Sequence, residues 1–130
     1  MHKTLQPPDW AKPRGYANGI VASGSETIYT GGMIGWDAQC RFQSTGFVDQ
    51  VRTTLENIVA VLAEADAGPE HLVRMTWYIT DRAAYHDNLR AIGEAYRNVI
   101  GRHYPAMAVV EVKALMEAEA RVEIEAIAVK

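Results

Sequence analysis

The sequence is short of several features that would give it an obvious chemistry. It has one cysteine, Cys40, so it cannot build an internal disulfide framework. Its 13 basic residues are outnumbered by 16 acidic ones, for a net charge of −3, and they form no basic tract. Nothing electrostatic therefore favours nucleic acid or an anionic membrane surface. No apolar run approaches the roughly 18 residues needed to cross a bilayer. The opening residues, Met1 to Pro8, carry no apolar core of the signal-peptide kind. The expectation is one cytoplasmic globular domain spanning residues 1–130.

Familiar site motifs are missing too. There is no GxxxxGK[ST] or GxGxxG loop, and Gly24-Ser25 does not sit in a GxSxG elbow. His2, His71, His86 and His103 show no HExxH spacing, and none pairs with Cys40 at zinc spacing, so no metal or cofactor is expected. Arg41 beside Cys40 would favour a thiolate, but no base accompanies it in sequence. No internal repeat occurs. Trp10, Trp36 and Trp77 read as packing residues, with Trp36 a possible pocket wall after Gly31-Gly32.

What is present is periodicity. From Arg121 to Val129 strict alternation puts Val122, Ile124, Ala126 and Ala128 on one strand face. The other face holds Glu123 and Glu125, then turns apolar at Ile127 and Val129. A solvated face needs no Ile127, and a buried one needs partners for its carboxylates, so this face is expected to meet a partner or line a cleft. Leu72 to Thr80 and Ala106 to Lys113 also read as strands. Gly19 to Ser23 and Thr27 to Thr30 read as a hairpin turning through Gly24-Ser25-Glu26.

Two helices are predicted. In the first, about Phe47 to Ala65, the apolar positions Phe47, Val51, Leu55, Ile58 and Leu62 form one stripe. Ser44 or Thr45 would cap it, and Gly68-Pro69 would stop it. In the second, about Ala83 to Ile100, the stripe is Tyr85, Leu89, Ile92, Tyr96 and Ile100, with Asp81 as cap and Gly101 as left-handed terminator. The order ββαβαββ implies a mixed α+β sheet with both helices on one face. The uncovered face then calls for a partner, most simply further copies of the same chain.

The chemistry left to such a chain is carboxylate chemistry. Glu123 and Glu125 share a face, and Glu111 shares one with Met107 and Val109. Carboxylates in a half-buried cleft are suited to moving protons or orienting water. The competing expectation is that they pair with Arg121, Arg74 or Lys113 across the sheet.

Five stretches resemble the RidA/YjgF family: Arg14-Gly15-Tyr16, Tyr29-Thr30-Gly31-Gly32, Leu55-Glu56-Asn57, Tyr104-Pro105-Ala106 and Val122-Glu123-Ile124-Glu125-Ala126-Ile127-Ala128. The likeness runs from about Pro13 to Val129. It implies a chorismate-mutase-like fold, a homotrimer, and small-molecule sites in clefts between subunits. It also implies hydrolysis of reactive enamines and imines to a 2-oxo acid and ammonia. Carried onto this chain, the water-activating glutamate is Glu123, the cleft tyrosine is Tyr16, and the backbone site is Gly31 and Gly32. The family's carboxylate-binding arginine, in a Pro-Ala-Arg step, is replaced by Met107. Val109 stands where many members have cysteine, and Arg90 where many have asparagine. The resemblance thus implies a hydrolase with altered substrate range, whose anionic group would be met by Arg14 or Arg90. The alternative is a non-catalytic ligand-binding or protective, chaperone-like module of the same fold. The family's older labels, ribonuclease and translation inhibitor, rank third, because no basic-aromatic surface supports them.

Overall fold

The computed structural model describes residues 1–130. Its strands are β1 (Lys3–Leu5), β2 (Gly19–Val21), β3 (Thr27–Tyr29), β4 (Met33–Ile34), β5 (Leu72–Ile79), β6 (Ala106–Glu111) and β7 (Val122–Val129). Its helices are α1 (Phe47–Ala63), α2 (Arg82–Asp87) and α3 (Leu89–Val99). The main sheet runs β3-β7-β5-β6, with β4 also on β7. β5 is parallel to β6 and antiparallel to β7.

The alternation of β7 holds. Val122, Ile124, Ala126 and Ala128 are buried against the helices, together with Met75, Trp77 and Ile79 of β5. The α1 stripe closes this core, and Val51, Leu55, Ile58 and Leu62 are all 0% exposed. Burying each such side chain contributes about 1.5–3 kcal/mol. The sheet's other face carries Tyr29, Arg74, Thr76, Tyr78, Glu123, Glu125 and Ile127, and no helix covers it. Val129, expected to meet a partner or line a cleft, is instead covered within the chain. It is 9% exposed, next to the Gly24 turn, whose Ser25 and Glu26 N–H groups both donate to the Lys130 carbonyl.

Four local expectations are corrected. β2 and β3 do not form a hairpin: β2 pairs with β1, from the proline-bearing leader, and β3 pairs with β7. Neither Ser44 nor Thr45 caps α1. Gly46 is the N-cap residue, while the Ser44 hydroxyl accepts from Gly46 N–H and donates to Asp49. α1 ends at Ala63, in a turn where Asp66 adopts a φ of 52°, and Gly68-Pro69 instead opens a short 3-10 turn. The second helix is two helices. Asn88 leaves helical geometry (φ −124°, ψ 23°) and its side-chain amide donates to the Ala84 carbonyl, which ends α2. Asp81 does cap α2, accepting from Ala84 N–H at 3.1 Å, and Gly101 does end α3 with φ 84°.

A buried amide ties α1 to the strand system. Gln50, 1% exposed, donates to the Ser44 and Glu119 carbonyls and accepts from Arg121 N–H. All its hydrogen-bonding groups are used, as a buried amide requires. No helix is long and apolar enough to cross a membrane.

Candidate functional site

β3 and β4 lie along the same edge of β7 as two halves of one strand. Tyr29 faces Ile127 and Met33 faces Ile124, so three residues on the edge strand oppose two on β7. The extra residue falls at Gly31-Gly32, and the break is a bulge. Thr30 holds the ladder together there. Its N–H donates to the Ala126 carbonyl and its hydroxyl accepts from Ala126 N–H, each at 2.9 Å. Beyond the bulge, the Asn57 amide donates to the Ile34 and Trp36 carbonyls, both at 2.9 Å, and fixes the exit of β4.

The bulge makes room for Glu123. A Cβ at Gly32 would overlap the Glu123 carboxylate and lie 2.8 Å from its Cδ. Glu123 is half-buried on the uncovered face, opposite Tyr78. The expected pairing of the strand glutamates with Arg121, Arg74 or Lys113 is not formed. Arg121 instead approaches Asp81 at 3.8 Å and lies over the Phe47 ring. Glu125 accepts from the Tyr78 hydroxyl at 2.8 Å, and that bond to a carboxylate holds the Tyr78 pKa above its usual value. Glu111, on the helix side, accepts from Arg82 N–H at 2.7 Å and is engaged in holding the start of α2.

The remaining candidates gather elsewhere. Arg14, Tyr16, Arg90, Met107 and Val109 line a cleft of about 640 Å³ running beneath α2 and α3. The chain segment carrying Arg14 and Tyr16 is brought there by Ala17, whose N–H donates to the Pro105 carbonyl beside a bridge to Ala106. Gly15 supplies the left-handed turn, with φ 78°. Met107 and Val109 point to the helix side because they pair with Met75 and Trp77. Glu123 points to the other side because it pairs with Tyr78. One chain therefore holds the candidates as two groups on opposite sheet faces.

The sequence put Trp77 among packing residues and Tyr85, Leu89 and Tyr96 on one apolar stripe; Trp77 and Tyr96 are indeed buried in the core, and all four, with Tyr104, also line this cleft. Tyr96 and Tyr104 stack, with centroids 5.4 Å apart and planes 12° apart. Burial pushes the Tyr96 and Tyr85 hydroxyls to higher pKa. Trp77 is 3% exposed and its indole N–H has no acceptor within the chain. The available signal was composition: a core stripe built of polar-tipped aromatics is suited to a wall that is apolar in body and polar at its rim. Trp36 does not reach the cleft and packs against Phe42. Cys40 is exposed, with φ 61°, in a turn whose Gln39 and Arg41 N–H groups donate to the Asp37 carboxylate. The Arg41 N–H is the chief reason the Asp37 carboxyl sits below its ordinary pKa.

Comparison with known proteins agrees with this geometry. Residues 11–130 match the family described as Endoribonuclease L-PSP. The RutC family protein UK114 of Drosophila melanogaster is 31% identical over 130 residues, covering 98% of this chain and 89% of that one. The Rid-family protein YyfB of Yersinia pestis superposes with a TM-score of 0.89 at 25% identity, covering 99% of this chain and 98% of that one. TdcF of Escherichia coli, named as a candidate reactive intermediate deaminase and solved with bound serine, superposes with a TM-score of 0.68 at 28% identity, covering 98% of each chain. A profile match over nearly the whole length, joined to the mixed sheet with its helices on one face, means that this chain belongs to the L-PSP family, also called RidA, YjgF or RutC, and has its α+β chorismate-mutase-like fold.

Proposed function

We propose that this chain is a hydrolase of imine- or enamine-type small metabolites, working as a homotrimer whose sites form between neighbouring copies. The observation that carries the reading is Glu123: a half-buried carboxylate seated at a glycine bulge on the helix-free sheet face. Arg14, Tyr16, Arg90, Met107 and Val109 lie on the opposite face of the same sheet. A second copy, bringing its Glu123 face to this chain's cleft, would join the two groups. The apolar residues left on the helix-free face, such as Tyr29 at 72% exposure and Val110 at 42%, favour that burial.

In this reading Glu123 takes a proton from water as the water oxygen adds to the imine carbon. The carbon–nitrogen bond of the resulting carbinolamine then breaks. The first water proton has reached the nitrogen by way of Glu123, the hydroxyl proton follows it as the carbon–nitrogen bond breaks, and a 2-oxo acid and ammonia are left. Tyr16 and the backbone at Gly31 and Gly32 orient the reacting group. Arg14 and Arg90 stand at the cleft and meet its anionic end in place of the missing arginine at Met107. Because those side chains are long and exposed, their grip is weaker than that of a fixed bidentate arginine.

The test is to generate 2-iminopropanoate in situ and follow its hydrolysis. Slow turnover is expected. Rapid turnover that survives Arg14→Ala and Arg90→Ala would refute the reassigned anion site. Glu123→Gln should abolish turnover of whatever imine proves to be the better substrate, and an unchanged rate would remove Glu123 from the chemistry. Met107 favours a second reading, a non-catalytic binding module, because a thioether holds no carboxylate. Ligand binding with no hydrolysis of any imine would support it. Sedimentation should give three times the chain mass, and a monomer would end both the shared-site and trimer readings.

A further inference from the structure

The cleft beneath α2 and α3 is larger and more aromatic than a small imino acid requires. At about 640 Å³ it lies within the roughly 300–1,000 Å³ of sites that enclose drug-sized ligands. Past Met107 and Val109 it is walled by Trp77, Ile92 and the stacked Tyr96–Tyr104 pair. The break at Asn88 sets Leu89 at its mouth, 52% exposed, where an uninterrupted helix was expected to bury it. Positive charge stands on the same lining: Arg14, Arg90 and Arg97. Arg90 is offset by Glu94 at 3.5 Å, whereas neither Arg14 nor Arg97 has an ion-pair partner in the chain. Trp77 adds a buried donor without an acceptor.

From this we infer that the ligand is an anion with a bulky, flat apolar group: a 2-imino or 2-oxo acid with an aromatic side chain. The apolar group enters beneath α3 against Met107 and Tyr104, and the carboxylate stays at the rim with Arg14 and Arg90, where Arg97 adds further positive charge. Met107 then has a role of its own. A polarizable thioether packs well on an aromatic ring, while an arginine there would put a charge in the path of the ring. The inference rests on reading the cleft as the substrate site of the proposed hydrolase, and the experiment separates the two.

The full-length protein is titrated calorimetrically with phenylpyruvate and with pyruvate, as stable product analogues. Phenylpyruvate should bind at least about tenfold more tightly, and equal or weaker binding overturns the inference. Leu89→Asp, at a half-exposed position, should raise the phenylpyruvate Kd at least fivefold. An unchanged Kd overturns the placement of the ring. In parallel, 2-iminopropanoate and 2-imino-3-phenylpropanoate are generated in situ by an amino acid oxidase and their hydrolysis compared. A higher kcat/KM for the phenyl compound supports both readings. Tight phenylpyruvate binding with neither imine hydrolysed supports the ligand class and ends the hydrolase reading. Equal hydrolysis of both, with no preference for phenylpyruvate, keeps the hydrolase and ends the ligand class.

Discussion

A single methyl group added at Gly32 and at Gly35, three positions apart, should have opposite consequences. At Gly32 the new Cβ meets the Glu123 carboxylate, with Cδ at 2.8 Å and Cγ at 3.1 Å. Ordinary contact begins near 3.4 Å, so the carboxyl carbon must retreat by about 3.4 − 2.8 = 0.6 Å and its oxygen by more. Glu123 is a flexible side chain on a face with no helix above it, so it can move and the fold survives. A misplacement of about 1 Å at a reacting group can lower a rate by about 100-fold, and the expected loss in kcat/KM for Gly32→Ala is roughly 10–100-fold. That equals about 1.4–2.8 kcal/mol of barrier. At Gly35 the obstacles are backbone: Gln50 Cα at 2.8 Å and its carbonyl oxygen at 2.9 Å, on a helix clamped by Val51, Leu55 and Ile58. Forcing α1 outward should cost about 1–3 kcal/mol, the usual range for overpacking. With roughly 4 °C per kcal/mol for a domain of this size, Tm should fall by roughly 4–12 °C. The assay pairs thermal melts with imine hydrolysis on both variants. If Gly32→Ala melts and turns over like the parent, the seat of Glu123 beside the bulge has no catalytic meaning. If Gly35→Ala melts unchanged, the close approach of α1 to β4 is more compliant than argued.

Three further outcomes follow from the same structure. Gln50→Leu strands two carbonyls and the Arg121 N–H, and should lower urea stability by about 2–4 kcal/mol; a loss below about 1 kcal/mol would mean that water replaces the amide. Asp81→Ala removes the α2 cap and the Arg121 partner, and should cost about 1 kcal/mol, read as a drop in the urea midpoint without a change in m. Tyr96 has its pKa raised by burial, so its folded state favours the protonated hydroxyl. That contribution is complete below the unfolded value near 10 and is lost as pH rises above it. Urea midpoints should therefore decline above pH 10, and less steeply in Tyr96→Phe, with Tyr85 accounting for part of what remains. An identical decline in the two proteins would contradict the assignment to Tyr96.

Much of this was legible from local pattern. The β7 alternation placed Val122, Ile124, Ala126 and Ala128 in the core because side chains on a strand must change face at each residue. The α1 stripe, the Asp81 cap and the Gly101 terminator are likewise short-range consequences of backbone geometry, so residue type and spacing sufficed. The resemblance marked Gly31 and Gly32 as a backbone site, though nothing local said that the room at Gly32 belongs to Glu123, some ninety residues away. The helix break at Asn88 was hidden because the stripe through Tyr85, Leu89 and Ile92 keeps helical spacing across it.

What the chain could not declare was which partner each strand takes. Gly24-Ser25-Glu26 has the composition of a hairpin turn, yet its amides are spent on the Lys130 carbonyl, and β2 goes to β1 instead of β3. Pairing depends on which distant strand supplies the better combination of burial and hydrogen bonds, a competition over the whole molecule. The same competition set Tyr78 against Glu123 and Trp77 against Val109, and so put the carboxylate on one face of the sheet and the aromatic cleft on the other. Residue identity and period determined which side chains are suited to the chemistry. The register between strands far apart in sequence decided that one copy holds them on opposite faces, because a shift of one residue would have exchanged those faces.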